Sequence, residues 1–239
     1  MLRCVFACVS LLSVLCAQSQ IDYGKLTPHT ESKPNAPYVG LSSGVVLLGS
    51  IAGAGVLYLM PESVTNWNKE DIYYLDVNWR DNVSKALVAD KDDWLLNWIG
   101  HPYWGAVYYM QPRKAGYGWF ESVLFSFVAS TFFWEFGIEA FAEVPSWQDL
   151  VITPAFGALL GELFYQASVH IYAHDRTLLG SRSFGDFALI AMDPVGALIE
   201  LAELDRRFGI SKNVFYTRLS PTRSRRGDSG IVLSLHYLF

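Results

Sequence analysis

Apolar and polar positions follow two different periods along the chain. Residues 42–60, SSGVVLLGSIAGAGVLYLM, form a 19-residue run without a charge, long enough to be a transmembrane segment or the buried helix of a core. Gly40 and Gly44, and again Gly49 and Gly53, have the spacing that lets a second helix approach closely. Residues 93–109, 120–142 and 154–173 repeat apolar positions at helical spacing. Toward the end the period becomes two. Residues 213–219 and 230–239 flank the turn-rich SPTRSRRGDS and predict a β-hairpin. Ile231, Leu233, Leu235, Tyr237 and Phe239 fall on one face of its second strand, an alternation and length that fit a membrane-crossing strand. A closed barrel needs about eight strands, and only these two are evident.

Local signals mark helix starts. Ser146 with Asp149 three residues on resembles a capping box. Thr153-Pro154 and Asp193-Pro194 each place a capping side chain before a proline suited to a first helical turn. His101-Pro102 signals the reverse. Proline disfavours the α conformation in the residue before it, so the helix from Asp93 should end or kink at His101. There the helix dipole would favour a protonated imidazole.

The polar residues on these apolar segments are themselves periodic. Asp93, Asn97 and His101 are four apart, as are Thr131, Glu135 and Glu139, and Glu162, Gln166, His170 and His174; Ser122, Ser126 and Ser130 form a fourth stripe. Each set shares a face of its helix. Buried charges must be paired or hydrogen-bonded, so stripes on three helices should face one another. They serve either as a polar network that fixes helix register or as a site. In a site, His101 is a general base, Asp93 or Glu135 its orienting carboxylate, and Arg113 a clamp for phosphate or carboxylate. Asn97, Glu139, Glu162 and His170 would then contact the substrate. A His/Glu metal centre would draw on His101, Glu135, Glu139, Glu162 or His170. No HExxH or paired ExxH is present, so neither a metal nor another cofactor is expected. The absence of GxSxG argues against a serine hydrolase.

Composition sharpens the address. Residues 1–19 have one arginine, an apolar run and Ala17-Gln18-Ser19 at the exit, the form of a cleaved secretory signal. The chain has 3 cysteines, Cys4, Cys8 and Cys16. All three lie in that signal, so disulfides and thiolate chemistry are excluded from the expected mature chain. With 51% hydrophobic residues, 17% charged residues and a net charge of -5, nothing suggests a nucleic-acid partner.

Asn97-x3-His101-Pro102-x2-Gly105-x2-Tyr108, then Arg113, Gly116, Glu135-x3-Glu139, Pro145-Ser146-x2-Asp149, Thr153-Pro154-x2-Gly157 and Gly161-Glu162 form an ordered series. It resembles the bacterial family called domain of unknown function 3943, over roughly residues 44–200. The resemblance implies a secreted envelope protein and brings no known activity with it. The expected fold is mainly α: a compact helical domain with polar stripes, plus a C-terminal β-hairpin ending in an outer-membrane-type strand. The expected divisions are a signal at 1–19, a polar linker at 20–37, the helical domain at 38–209 and the hairpin at 210–239. The expected role is an extracytoplasmic, outer-membrane or periplasmic envelope protein, structural or lipid-contacting. Its partners would be membrane lipid or the outer-membrane assembly machinery; no oligomeric state follows. An envelope lipid- or glycan-modifying enzyme using His101 and an inner-membrane protein anchored by 42–60 are the alternatives.

Overall fold

The computed structural model describes residues 34–210 and the backbone of 214–223 and 229–238. The expected signal and most of the expected linker lie outside these residues. The described chain is mainly helical. Helix α1, Ala36–Leu59, starts ahead of the uncharged run because Asn35 caps it: its Oδ1 accepts the Tyr38 N–H at 3.0 Å, and Pro37 occupies the first turn. The connection to the next long helix holds one helical turn, Glu62–Thr65, a 3-10 segment, Lys69–Tyr74, and α2, Leu75–Ser84.

Helix α3, His101–Lys114, is preceded without a break by a π-helical turn, Leu96–Gly100. The predicted interruption at His101-Pro102 is therefore absent. His101 is α-helical, φ -61° and ψ -51°, and its N–H reaches back to the Leu96 carbonyl. The wide turn makes Pro102 an early residue of the following α segment, where a missing N–H costs little. His101 sits at the start of α3, so the C-terminal dipole argument does not apply to it.

Helix α4, Trp119–Val128, also continues as a π segment, Ala129–Ile138, and a 3-10 turn, Glu139–Phe141. Helix α5, Asp149–Ala173, begins earlier than the Thr153-Pro154 signal implies, and Pro154 lies inside it. Its true start is at Ser146, whose Oγ accepts the N–H groups of Gln148 and Asp149 at 3.1 and 3.3 Å. Helices α6, Arg182–Met192, α7, Pro194–Leu201, and a last turn, α8, Leu204–Arg207, complete the bundle. Asp193 does cap α7, its Oδ1 accepting the Gly196 N–H at 2.9 Å.

Helices α3 and α5 form the closest pairing. They touch backbone to backbone: a Cβ added at Gly157 would stand 2.5 Å from the Gly105 Cα, and one at Gly105 would collide with the Thr153 carbonyl. The glycines of α1 behave otherwise. Among the described residues nothing lies within 4 Å of a Cβ placed at Gly40, Gly44, Gly49 or Gly53, so the expected close helix contact along them is not made there. The apolar core joins Val45 and Val46 of α1 to Val107 and Tyr108 of α3 and to Val195 and Ile199 of α7.

The interior mixes apolar and polar side chains, and much of the exterior is apolar. Ser42, Gln111, Ser122, Ser126, Glu135 and Glu139 are buried, while Leu48, Leu59, Phe120, Phe132, Leu159 and Leu163 are each more than 60% exposed. Helices α1 and α5, and the rod 119–141, are each long and apolar enough to cross a membrane.

Two backbone segments, β1 (Val214–Arg223) and β2 (Ser229–Leu238), run antiparallel with Val214 opposite Leu238. Their side chains, the link 224–228 and Phe239 lie outside the described residues. The outer-membrane character expected of the last strand rests on side chains outside the described residues and is not supported; the fold shown is the helical domain.

Candidate functional site

Two of the polar stripes, through Asn97 and His101 and through Glu135 and Glu139, meet at one end of the bundle, where the rod 119–141 ends and α3 and α5 begin. A cavity of about 300 Å³ opens there, lined among others by Asp90, Glu135, Glu139, Glu143, Ser146 and Asp149. Two loops supply its walls. They are held together by a short parallel bridge: the Val88 N–H donates to Pro145 O at 3.2 Å, and the Trp147 N–H donates to Val88 O at 3.1 Å. Trp67 Nε1 donates to Glu143 Oε1 at 2.9 Å, and Asn82 Nδ2 to Ala140 O at 3.1 Å, so the segment after α1 and helix α2 both brace this end.

The capping box expected at Ser146 is only half made. Its hydroxyl caps α5, but the Ser146 N–H donates to Glu135 Oε1 rather than to Asp149. This leaves the Asp149 carboxylate free to face His101, with Oδ1 3.8 Å from Nδ1. The nearer partner of that nitrogen is Thr153 Oγ1 at 3.1 Å. Thr153 was expected as a cap and is instead a neighbour of the imidazole. Burial lowers the His101 pKa to about 4, against an upward pull from Asp90, so the ring is neutral at physiological pH. Burial first, and then neighbouring carboxylates, raise Asp92 to about 9. Burial likewise raises Glu143 to about 8, with the Trp67 hydrogen bond acting the other way.

The structure divides the predicted site residues into three groups. His101, Glu135 and Glu139 come together at this end of the bundle. Asn97 is buried beside them, its Nδ2 donating to Asp92 O at 3.2 Å. Asp93 is exposed and its Oδ1 accepts the Leu95 N–H at 2.9 Å; it is a local cap, not the carboxylate that orients His101. Arg113 and Glu162 form a separate pair. Arg113 Nε lies 2.9 Å from Glu162 Oε2, with its guanidinium 4.0 Å above the Tyr165 ring. Glu162 also receives the Tyr109 hydroxyl. Arg113 is thus engaged within its own cluster and does not clamp a ligand at His101. His170 is exposed and stacks on His174 at 4.2 Å between centroids.

Asp90, Asp92, Glu143, Asp149 and Thr153 were not assigned to a site from sequence. Two signals pointed to Asp90, Asp92 and Glu143. The Thr131–Glu135–Glu139 stripe continues by another four residues to Glu143, and three of the four residues 90–93 are aspartates.

The cluster can hold protons among crowded carboxylates or provide oxygen and imidazole ligands for a cation. Two groupings have their donor atoms within 4.8 Å of one another: Asp90, His101 and Asp149, and Asp90, Asp92 and Glu143. Compared with known proteins, residues 86–195 match the family model described as Domain of unknown function (DUF3943). No curated protein and no solved structure matches the chain.

Proposed function

We propose that the chain, whose residues 86–195 match the DUF3943 family model, is a bacterial cell-envelope protein embedded in lipid by α1, the rod 119–141 and α5, with its acidic cavity at the ends of these helices. The observation that carries this reading is the apolar exterior of the bundle. Soluble monomers rarely expose apolar patches beyond a few hundred Å², whereas here Leu48, Leu59, Phe120, Phe132, Leu159 and Leu163 all face outward. Length agrees. At 1.5 Å per residue the 24 residues of α1 extend about 36 Å, against a hydrocarbon layer of about 30 Å. Ionisable groups inside such a bundle are costly unless they serve a purpose, which favours a role for the cavity over simple anchoring.

A protein that spans a membrane resists extraction from it at alkaline pH. The protein should stay in the pellet after a carbonate wash, and its tryptophan fluorescence should be quenched by brominated lipid in reconstituted vesicles. Release into the supernatant, or no quenching, would overturn the embedded reading. Helical embedding favours inner-membrane density in a gradient, unchanged when Phe239 is deleted. Outer-membrane density that is lost on deleting Phe239 would instead support the outer-membrane address expected from residues 230–239. The enzyme alternative with His101 as general base draws less support, since Asp93 and Arg113 are occupied elsewhere.

A further inference from the structure

We propose that a divalent-cation centre stands at the wall of the acidic cavity, where Asp90, Glu143 and Asp149 line it: Asp90 is shared by two ions, one held with His101 and Asp149 and the other with Asp92 and Glu143. It requires the cavity and not the membrane reading. The two groupings each place three donor atoms within 4.8 Å of one another and have Asp90 in common. A carboxylate has two oxygens and can serve two ions at once.

Crowded acids alone would not justify an ion. The independent sign is the set of buried oxygens without partners. Glu139 is 4% exposed and lines the cavity, and its Oε2 has no hydrogen bond; Asp149 is 3% exposed and lines it too, and its Oδ1 has none. Asp92 Oδ1 is a third such atom. Buried polar atoms are almost always satisfied, and an orphaned group calls for an explanation such as an ion. The lining includes Lys91 as its one cationic side chain, and that residue is exposed.

The support around the ligands fits a metal centre as well. Trp67 orients Glu143, and the Val88 bridge fixes the two loops. Such outer contacts orient the groups that bind metal. Carboxylates with one imidazole suit a metal of intermediate hardness, and all-carboxylate sets suit Mg²⁺, Ca²⁺ or Mn²⁺. Mn²⁺ satisfies both groupings.

The test uses the full chain in detergent, stripped with EDTA and titrated with Mn²⁺, with the loss of the free-ion EPR signal counting bound metal. Two Mn²⁺ per chain are expected, with a rise in Tm. Asp90→Asn should abolish both, His101→Gln and Asp92→Asn one each, and Glu162→Gln, outside the cavity, neither. No saturable binding up to millimolar Mn²⁺ by folded protein overturns the proposal. So does binding unchanged in Asp90→Asn, or a wild-type stoichiometry of one. If Asp90→Asn does not fold, the His101→Gln and Asp92→Asn variants decide through their loss of one ion each. The titration needs no lipid, so its failure and a failure of membrane embedding are separate results.

Discussion

Gly105 and Gly157 set the distance between the two helices that hold His101 and Asp149. A methyl group at Gly157 would meet backbone atoms of Gly105 at 2.5 and 2.6 Å, and backbone cannot rotate aside. Alanine is the better helix former by about 1 kcal/mol, but overpacking costs about 1–3 kcal/mol, so the steric term wins. Gly157→Ala should lower stability in thermal unfolding, whereas alanine at Gly49, where nothing lies within 4 Å, should be neutral or mildly stabilising. At Thr153 the hydroxyl is the nearest partner of the His101 Nδ1. Thr153→Val should cost about 1 kcal/mol, the usual net worth of one hydrogen bond, and Thr153→Ser should restore most of it. Thr153 looked like a cap in the sequence because Thr-Pro is a common helix start. A threonine hydroxyl serves a cap or a distant imidazole equally well, and which it serves depends on where α3 crosses.

Among the elements, the periods of residues 93–109, 120–142 and 154–173 were legible because each buries one face of a long helix. The two π segments were not. A wide turn leaves the same residue types in place and changes only which carbonyl each N–H meets, so periodicity is blind to it. Its effect at the site is large, since it lets the chain pass through Pro102 and keep His101 in the bundle. Gly137 bears on the second π segment: an added Cβ would stand 2.6 Å from the Phe132 carbonyl oxygen. At the opposite end, Lys114 of α3 pairs with Asp193, the cap of α7, both nearly buried. Burial would lower the Lys114 pKa, but the facing Asp193 carboxylate outweighs it and the net shift is upward. The sign follows: the stability contributed is complete below the ordinary lysine value of about 10.4 and is lost as pH rises through the raised folded value. Lys114→Met, which strands a buried carboxylate, should cost about 3–5 kcal/mol. In alkaline melts its stability should fall less steeply with pH than that of the wild type.

For the molecule as a whole, the apolar exterior was legible only in part. The sequence left 42–60 as either a span or a buried core helix, and the charged and polar stripes on the other two long helices obscured their length. Only the fold reveals that Glu135 and Glu139 turn inward and Phe120 and Phe132 outward. The same fold brings residues far apart in sequence to a common end. The rod 119–141 and α5 are joined by only residues 142–148, so the end of one and the start of the other lie on the same side, together with the segment 85–93. In a lipid bilayer that juxtaposition becomes sidedness. Lys85 and Lys91 are exposed beside the acidic cavity, so a membrane-impermeant amine reagent that labels them in intact cells also reports which compartment's ions and solutes can reach it.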